Sequence, residues 1–170
     1  MTAINKGRHS AAPGADGKVL FLIGMRINRP LQFWRWVPVF VAMPRMLVEL
    51  QRNRELGLVG RPRTLLSGRV ITVWQYWNSF DQLQDYARSS ASAHLPAWRR
   101  FNRRIRDNGS VGIFHETILL TDDSVETVYG NMPPFGLGAV TGVVPAARRG
   151  QTAATRLKID DPAGPPVDPY

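Results

Sequence analysis

Residues 19–27, Val-Leu-Phe-Leu-Ile-Gly-Met-Arg-Ile, are apolar on both faces of an extended chain. Side chains alternate along a strand, so Val19, Phe21, Ile23, Met25 and Ile27 point one way and Leu20, Leu22 and Gly24 the other. Such a strand has to be covered on both sides. In a chain of 170 residues, room for one domain, helices can cover one side. A second copy of the chain is the natural cover for the other. The expectation is a homodimer built around this strand.

The neighbouring segments supply the rest of a sheet. Residues 69–77 alternate, with Val70, Thr72, Trp74 and Tyr76 on one face and Ile71, Val73, Gln75 and Trp77 on the other. Residues 63–66 pair with them across a two-residue turn at Ser67-Gly68. Residues 111–120 form another strand, and 125–128 a short extended piece. Between these lie helices. Ser79-Phe80-Asp81-Gln82 reads as a capping box that opens a helix to about Arg88. A helix over residues 95–107 starts with Pro96 in its first turn and stops before Gly109. Residues 31–55 read as a short helical turn to Val37, then a helix from Pro44 to Glu55, ended by Gly57. The fold class is α+β: a ferredoxin-like two-layer sandwich with a four-stranded antiparallel sheet and helices on one face.

Composition narrows the function. There is no cysteine, which removes disulfides, thiolate metal sites and Cys nucleophiles together. Residues 1–18 lack the apolar core of a secretory leader, so a cytoplasmic location is expected. Residues 31–55 are apolar, but Arg35, Arg45 and Glu49 interrupt them and argue against a membrane span. The formal charge of +9 is carried mostly by arginine. Arg99, Arg100, Arg103, Arg104 and Arg106 lie opposite Leu95, Trp98, Phe101 and Ile105, as on a solvated amphipathic helix. With no nucleic-acid motif beside them, no specific nucleic-acid partner is expected. The Gly-, Pro- and Ser-containing ends, 1–17 and 145–170, read as disordered tails around a domain at 18–144.

Two histidines are candidates for chemistry. His115 sits mid-strand among apolar neighbours, where an imidazole is costly unless hydrogen-bonded or used. Glu116 points to the opposite face, so the two do not form a catalytic pair. His94 opens the Arg-rich helix, at the mouth of any pocket between helix and sheet. The histidines and carboxylates show no metal-ligand spacing, so no metal site is expected, whereas haem needs only one axial histidine. Trp74, Tyr76, Trp98 and Phe101 are abundant enough to line a flat pocket for an apolar or aromatic ligand.

Four blocks occur in order: Trp74-Gln75-Tyr76-Trp77-Asn78-Ser79-Phe80, His94-Leu95-Pro96-Ala97-Trp98-Arg99-Arg100-Phe101, Gly112-Ile113-Phe114-His115-Glu116-Thr117 and Tyr129-Gly130-Asn131-Met132-Pro133. Over residues 18–140 the chain resembles the monooxygenase-like family of formerly unknown function that includes the small fungal monooxygenase of fumagillin biosynthesis. That family is placed in the dimeric α/β-barrel superfamily. The resemblance implies a small-molecule oxygenase acting on a polyketide- or terpenoid-like substrate, using no cofactor or haem. It puts the site residues within the blocks: His115, His94, Asn131 and Tyr129 for catalysis, and Trp74, Trp98, Tyr76 and Phe101 for substrate. His115 would remove a proton, and Asn131 and Trp74 would hydrogen-bond the oxyanion. With haem, His115 or His94 would be the iron ligand. A ligand-binding dimer without catalysis is the remaining alternative.

Overall fold

Strand pairing follows the alternation of the sequence closely. The computed structural model describes residues 3–89, 91, 94–105 and 108–160. Along the chain the elements are β1 (Asn5–Ala11), β2 (Val19–Ile27), α1 (Phe33–Arg52), β3 (Leu58–Ser67), β4 (Val70–Trp77), α2 (Phe80–Arg88), α3 (His94–Arg104), β5 (Val111–Leu119), β6 (Tyr129–Met132), α4 (Gly138–Thr141), β7 (Val143–Pro145) and α5 (Ala153–Leu157). They divide into two compact units, Val19–Leu119 and the remainder, Met1–Lys18 with Leu120–Tyr170.

In the first unit four antiparallel strands run in the order β3-β4-β2-β5. With α1 between β2 and β3 and α2 and α3 between β4 and β5, this is the ferredoxin-like path, with helices on one face. The doubly apolar β2 occupies the interior of the sheet. Its Ile23 opposes Val73 on one side and His115 on the other. The helix-facing side chains gather into two core clusters. One joins Val19, Leu50, Leu58, Trp77, Leu83 and Tyr86. The other joins Met25, Ile105 and Val111, with Trp36, Val39 and Phe101 packed on it. Full burial of each large apolar side chain contributes roughly 1.5–3 kcal/mol, so the clusters fasten opposite ends of the helical layer to the sheet.

Two local expectations change. The hairpin loop is Gly68-Arg69, because Ser67 already pairs with Val70; Gly68 takes the left-handed φ of +54° that the tight turn demands. More substantially, α1 is one continuous helix with Pro38 and Pro44 inside it. A proline leaves the carbonyl four residues earlier without its donor. Here those residues are Trp34 and Phe40, both exposed, so water can serve the carbonyls. Packing of Trp36 and Val39 on one cluster and Leu50 on the other holds the helix through both prolines. Of the capping box, the Ser79 hydroxyl accepts from Gln82 N–H at 3.2 Å. The Gln82 amide reaches the Glu55 carbonyl at 3.4 Å, tying α2 to the turn after α1.

The second unit corrects the reading of both ends as disordered tails outside a domain at 18–144. Its sheet has the order β6-β1-β7, so residues 5–11 are its middle strand. Asn-Lys-Gly-Arg-His-Ser-Ala carries no apolar alternation. Its order comes from backbone pairing with strands more than 110 residues away and from side chains that take its remaining amides. Thr127 Oγ1 accepts from Ala11 N–H at 2.8 Å, and the Asp122 carboxylate accepts from Gly14 and Ala15 at 2.9 Å each. Burial alone would raise the Asp122 pKa, but the Ala15 and Gly14 amides, with Arg149 and Lys158, outweigh it and hold the carboxyl below its usual range. Near the other end, Thr152 caps α5. The buried Arg156 donates to Glu126 at 2.8 Å and to the carbonyls of Gly150 and Gln151. Residues 161–170 lie outside the described residues. Among those described, no helix is long and apolar enough to cross a membrane.

Candidate functional site

Between the two core clusters the helices of the first unit stand away from the sheet, leaving a cavity of about 500 Å³. Protein interiors are packed as densely as organic crystals, so a void of this size is built space and no accident of packing. It falls within the range of ligand sites, which are mostly apolar with a few polar groups. Ile23 and Val73 form its floor, while Met43 and Met46 of α1 line the helical side. Unbranched methionines suit a wall that must adjust to a ligand.

The polar groups are few. His115 and Thr117 project from β5 on the same face as Ile113, two residues apart each time. This is the alternation expected for β5, and Glu116 accordingly stands on the other face. Burial differs from expectation: the His115 ring is exposed at the cavity wall, not enclosed in the core. It lies against Phe21, with ring centroids 5.7 Å apart. Arg35 of α1, Gln84 of α2 and Arg100 of α3 on the helical side, with Thr64 of β3, complete the polar set, and no carboxylate among the described residues lines the cavity. Trp98 and Phe101, one turn of α3, stack at 5.6 Å with 19° between their planes and form a flat aromatic wall.

The other sequence candidates fall elsewhere. Trp74 and Tyr76 pack together, centroids 6.2 Å apart, on the face of β4 opposite Val73, and do not line the cavity. Their parity along β4 was evident from sequence; which parity faced the helices depended on pairing with β2. Tyr129 and Asn131 belong to the second unit, where each fixes local backbone. The buried Tyr129 hydroxyl accepts from Gly138 N–H at 2.9 Å. Asn131 adopts a left-handed φ of 51°, and its side-chain oxygen accepts from Gly7 N–H at 2.8 Å. His94 begins α3, but its side chain lies outside the described residues.

Three contributors were missed in the sequence. Arg35 and Arg100 read there as an interruption of an apolar run and as part of a solvated helix face. Tyr86 donates to the Glu49 carboxylate at 2.9 Å and so joins α2 to α1. Burial, reinforced by that hydrogen bond and by the Glu49 charge, pushes the phenol's pKa far up, so it remains a donor at any physiological pH. A second, smaller void of about 40 Å³ lies beside Tyr86, Gln75 and Trp77.

Residues 18–137 match the monooxygenase af470-like family. The chain belongs to that family. Monooxygenase af470 of Aspergillus fumigatus is 30% identical over an aligned length of 141 residues, and the match covers 78% of this chain and 49% of that protein. The chain thus spans about half the length of the curated relative it matches. Among solved structures, aldoxime dehydratase superposes with a TM-score of 0.57 at 17% identity, over 77% of this chain and 43% of that one. SnoaB, a cofactor-independent oxygenase from Streptomyces nogalater, gives a TM-score of 0.43 at 12% identity, over 61% of this chain and 93% of that one. The dehydratase likeness concerns fold alone. As a monooxygenase af470-like protein, the chain has its matched region extending from Lys18 through all of the first unit, which contains the whole cavity.

Proposed function

We propose that the protein is a small-molecule oxygenase of secondary metabolism, acting in the cavity between sheet and helices on an apolar or aromatic substrate of polyketide or terpenoid type. The observation that carries this reading is an apolar cavity of ligand size with the His115 imidazole on its wall. Membership of a monooxygenase-like family supports it. His115 acts as general base on a C–H made acidic by flanking carbonyl or aryl groups. The carbanion passes one electron to O₂, and the two radicals combine at carbon. Loss of water from the hydroperoxide then gives a carbonyl, so that CH₂ and O₂ yield C=O and H₂O without an external reductant. The Thr117 hydroxyl, on the same face of β5, is suited to hydrogen-bond the developing oxyanion in a site from which substrate displaces water. The Trp98–Phe101 wall suits a flat ring system.

The test is oxygen uptake with a panel of anthrone-type and phenolic substrates. We expect consumption of one O₂ per ketone formed. Tight binding of the same compounds with no uptake would instead make the protein a carrier. A second reading is favoured by His115 together with Arg35 and Arg100: in a mostly apolar cavity these residues suit a haem, whose iron His115 would hold and whose carboxylates Arg35 and Arg100 would pair with. Bound there, haem would supply redox chemistry at iron. A Soret band in the purified protein separates this reading from the first.

We further infer that the chain pairs with a second copy in a cytoplasmic setting that its lack of cysteine suits. Leu20 and Leu22 on the helix-free face of β2 are only half-buried, which supports an apolar partner. Light scattering at micromolar concentration is expected to give about twice the 19.1 kDa chain mass. A clean monomer would refute the pairing.

A further inference from the structure

We propose that the natural ligand of the cavity is an apolar carboxylic acid, its carboxylate held between Arg35 and Arg100 and its hydrocarbon or aromatic body lying on the sheet. This deepens the oxygenase reading, and rests on it only for what happens to the ligand once bound.

The two arginines come from different helices, α1 and α3, that pack against one another, and both line the cavity. No Asp or Glu among the described residues lines it with them. Among the described residues the ion pairs are Arg156–Glu126 and Lys158–Asp123, both in the second unit, so no described carboxylate forms an ion pair with either cavity arginine. Arg99 and Arg103, on the same helix as Arg100, do not line the cavity. Arg100 is set apart from them by lining the cavity together with Trp98 and Phe101. Two cations on the wall of one mostly apolar cavity favour an anionic ligand group there. A carboxylate suits them, because the planar fork of arginine matches it with paired, charge-assisted hydrogen bonds. The remaining walls, including Met43, Val39 and Ile71, then take the apolar body.

Pyrenebutyrate and its uncharged methyl ester form a matched pair of fluorescent probes for titration against the full chain at low salt. The acid should bind at least tenfold more tightly than the ester. Arg35→Ala and Arg100→Ala should each weaken the acid several-fold, and together bring it to the affinity of the ester, which neither substitution alters. Arg103→Ala should leave the acid unchanged. All of these side chains are partly or fully exposed, and melting curves will verify that the variants fold. Equal binding of acid and ester overturns the proposal. So does an Arg103→Ala loss as large as that of Arg100→Ala, which would mean a general positive field, and so does absence of binding by both probes.

His115→Gln distinguishes two sources of such an acid. Affinity for haem, a flat dicarboxylate, should fall with it, whereas affinity for a metal-free acid should not, and either result supports the carboxylate site. If oxygen uptake fails while the acid–ester difference persists, the oxygenase reading falls and this one stands. Uptake with equal binding of acid and ester gives the reverse.

Discussion

Replacing His115 by Gln is expected to lower turnover by about 10²- to 10⁴-fold, the usual contribution of a positioned general base, while leaving the fold almost untouched. The second half of that expectation follows from exposure. The His115 ring stands at the cavity wall on the edge strand β5 and rests against Phe21. Substitutions at such surfaces usually change stability by within about 0.5 kcal/mol. Glutamine retains most of the side-chain length and polarity but cannot accept a proton at neutral pH. The measurement pairs initial rates of oxygen uptake with thermal melts of the same preparation. A variant that keeps wild-type turnover would remove His115 from the mechanism. A variant that unfolds would make it a structural residue, contrary to its exposure. His94→Gln is the informative companion: loss confined to that variant would move the base to the start of α3.

The strands were legible in the sequence because their information is local. Alternation in residues 69–77 and 111–120 marked β4 and β5, and the separation of His115 from Glu116 followed from the same period. What alternation does not give is the relation between strands. Trp74 opposes Leu22 while His115 opposes Ile23, so the two candidates stand on opposite faces of one sheet. Within each strand the parity was evident; the register that joined them was a tertiary property. The middle strand of the second unit was hidden for a related reason. Residues 5–11 have no apolar pattern of their own, and their partners are β6 and β7. Pro38 and Pro44 misled in the opposite sense, since local propensity breaks a helix that packing at both ends keeps whole. The cavity itself had no local signature, because a void is made by side chains that do not meet. His115, Trp98 and Phe101 on its walls were legible as candidates from residue type alone, whereas Arg35 and Arg100 gained their place only through the packing of the helices.

Trp77→Ala is expected to be the most destabilising single substitution near the site, by about 3–5 kcal/mol for the lost burial and the hole left behind. Trp77 is 1% exposed and stands at the centre of the cluster formed by Val19, Leu50, Leu58, Leu83 and Tyr86. Its ring packs on Tyr86 at 5.7 Å. Its indole N–H donates to the buried Gln75 side-chain oxygen at 3.0 Å, so truncation also leaves that acceptor without this donor. Trp77→Phe separates the two contributions. It restores much of the volume but not the donor, and should cost about 1–3 kcal/mol, the range for a buried polar group left unsatisfied. Trp98 supplies the contrast from within the site, because it is 43% exposed and lines the cavity. Trp98→Ala should lose little stability, yet weaken binding of flat aromatic ligands by removing half of the stacked wall. Urea unfolding curves of the three variants give the order: Trp77→Ala far below Trp77→Phe, with Trp98→Ala nearest wild type. Comparable losses in Trp77→Ala and Trp98→Ala would mean that the helices are held to the sheet through the ligand-binding wall and not through the cluster beside it. The cavity could then not be open space on a fold that stands without its ligand.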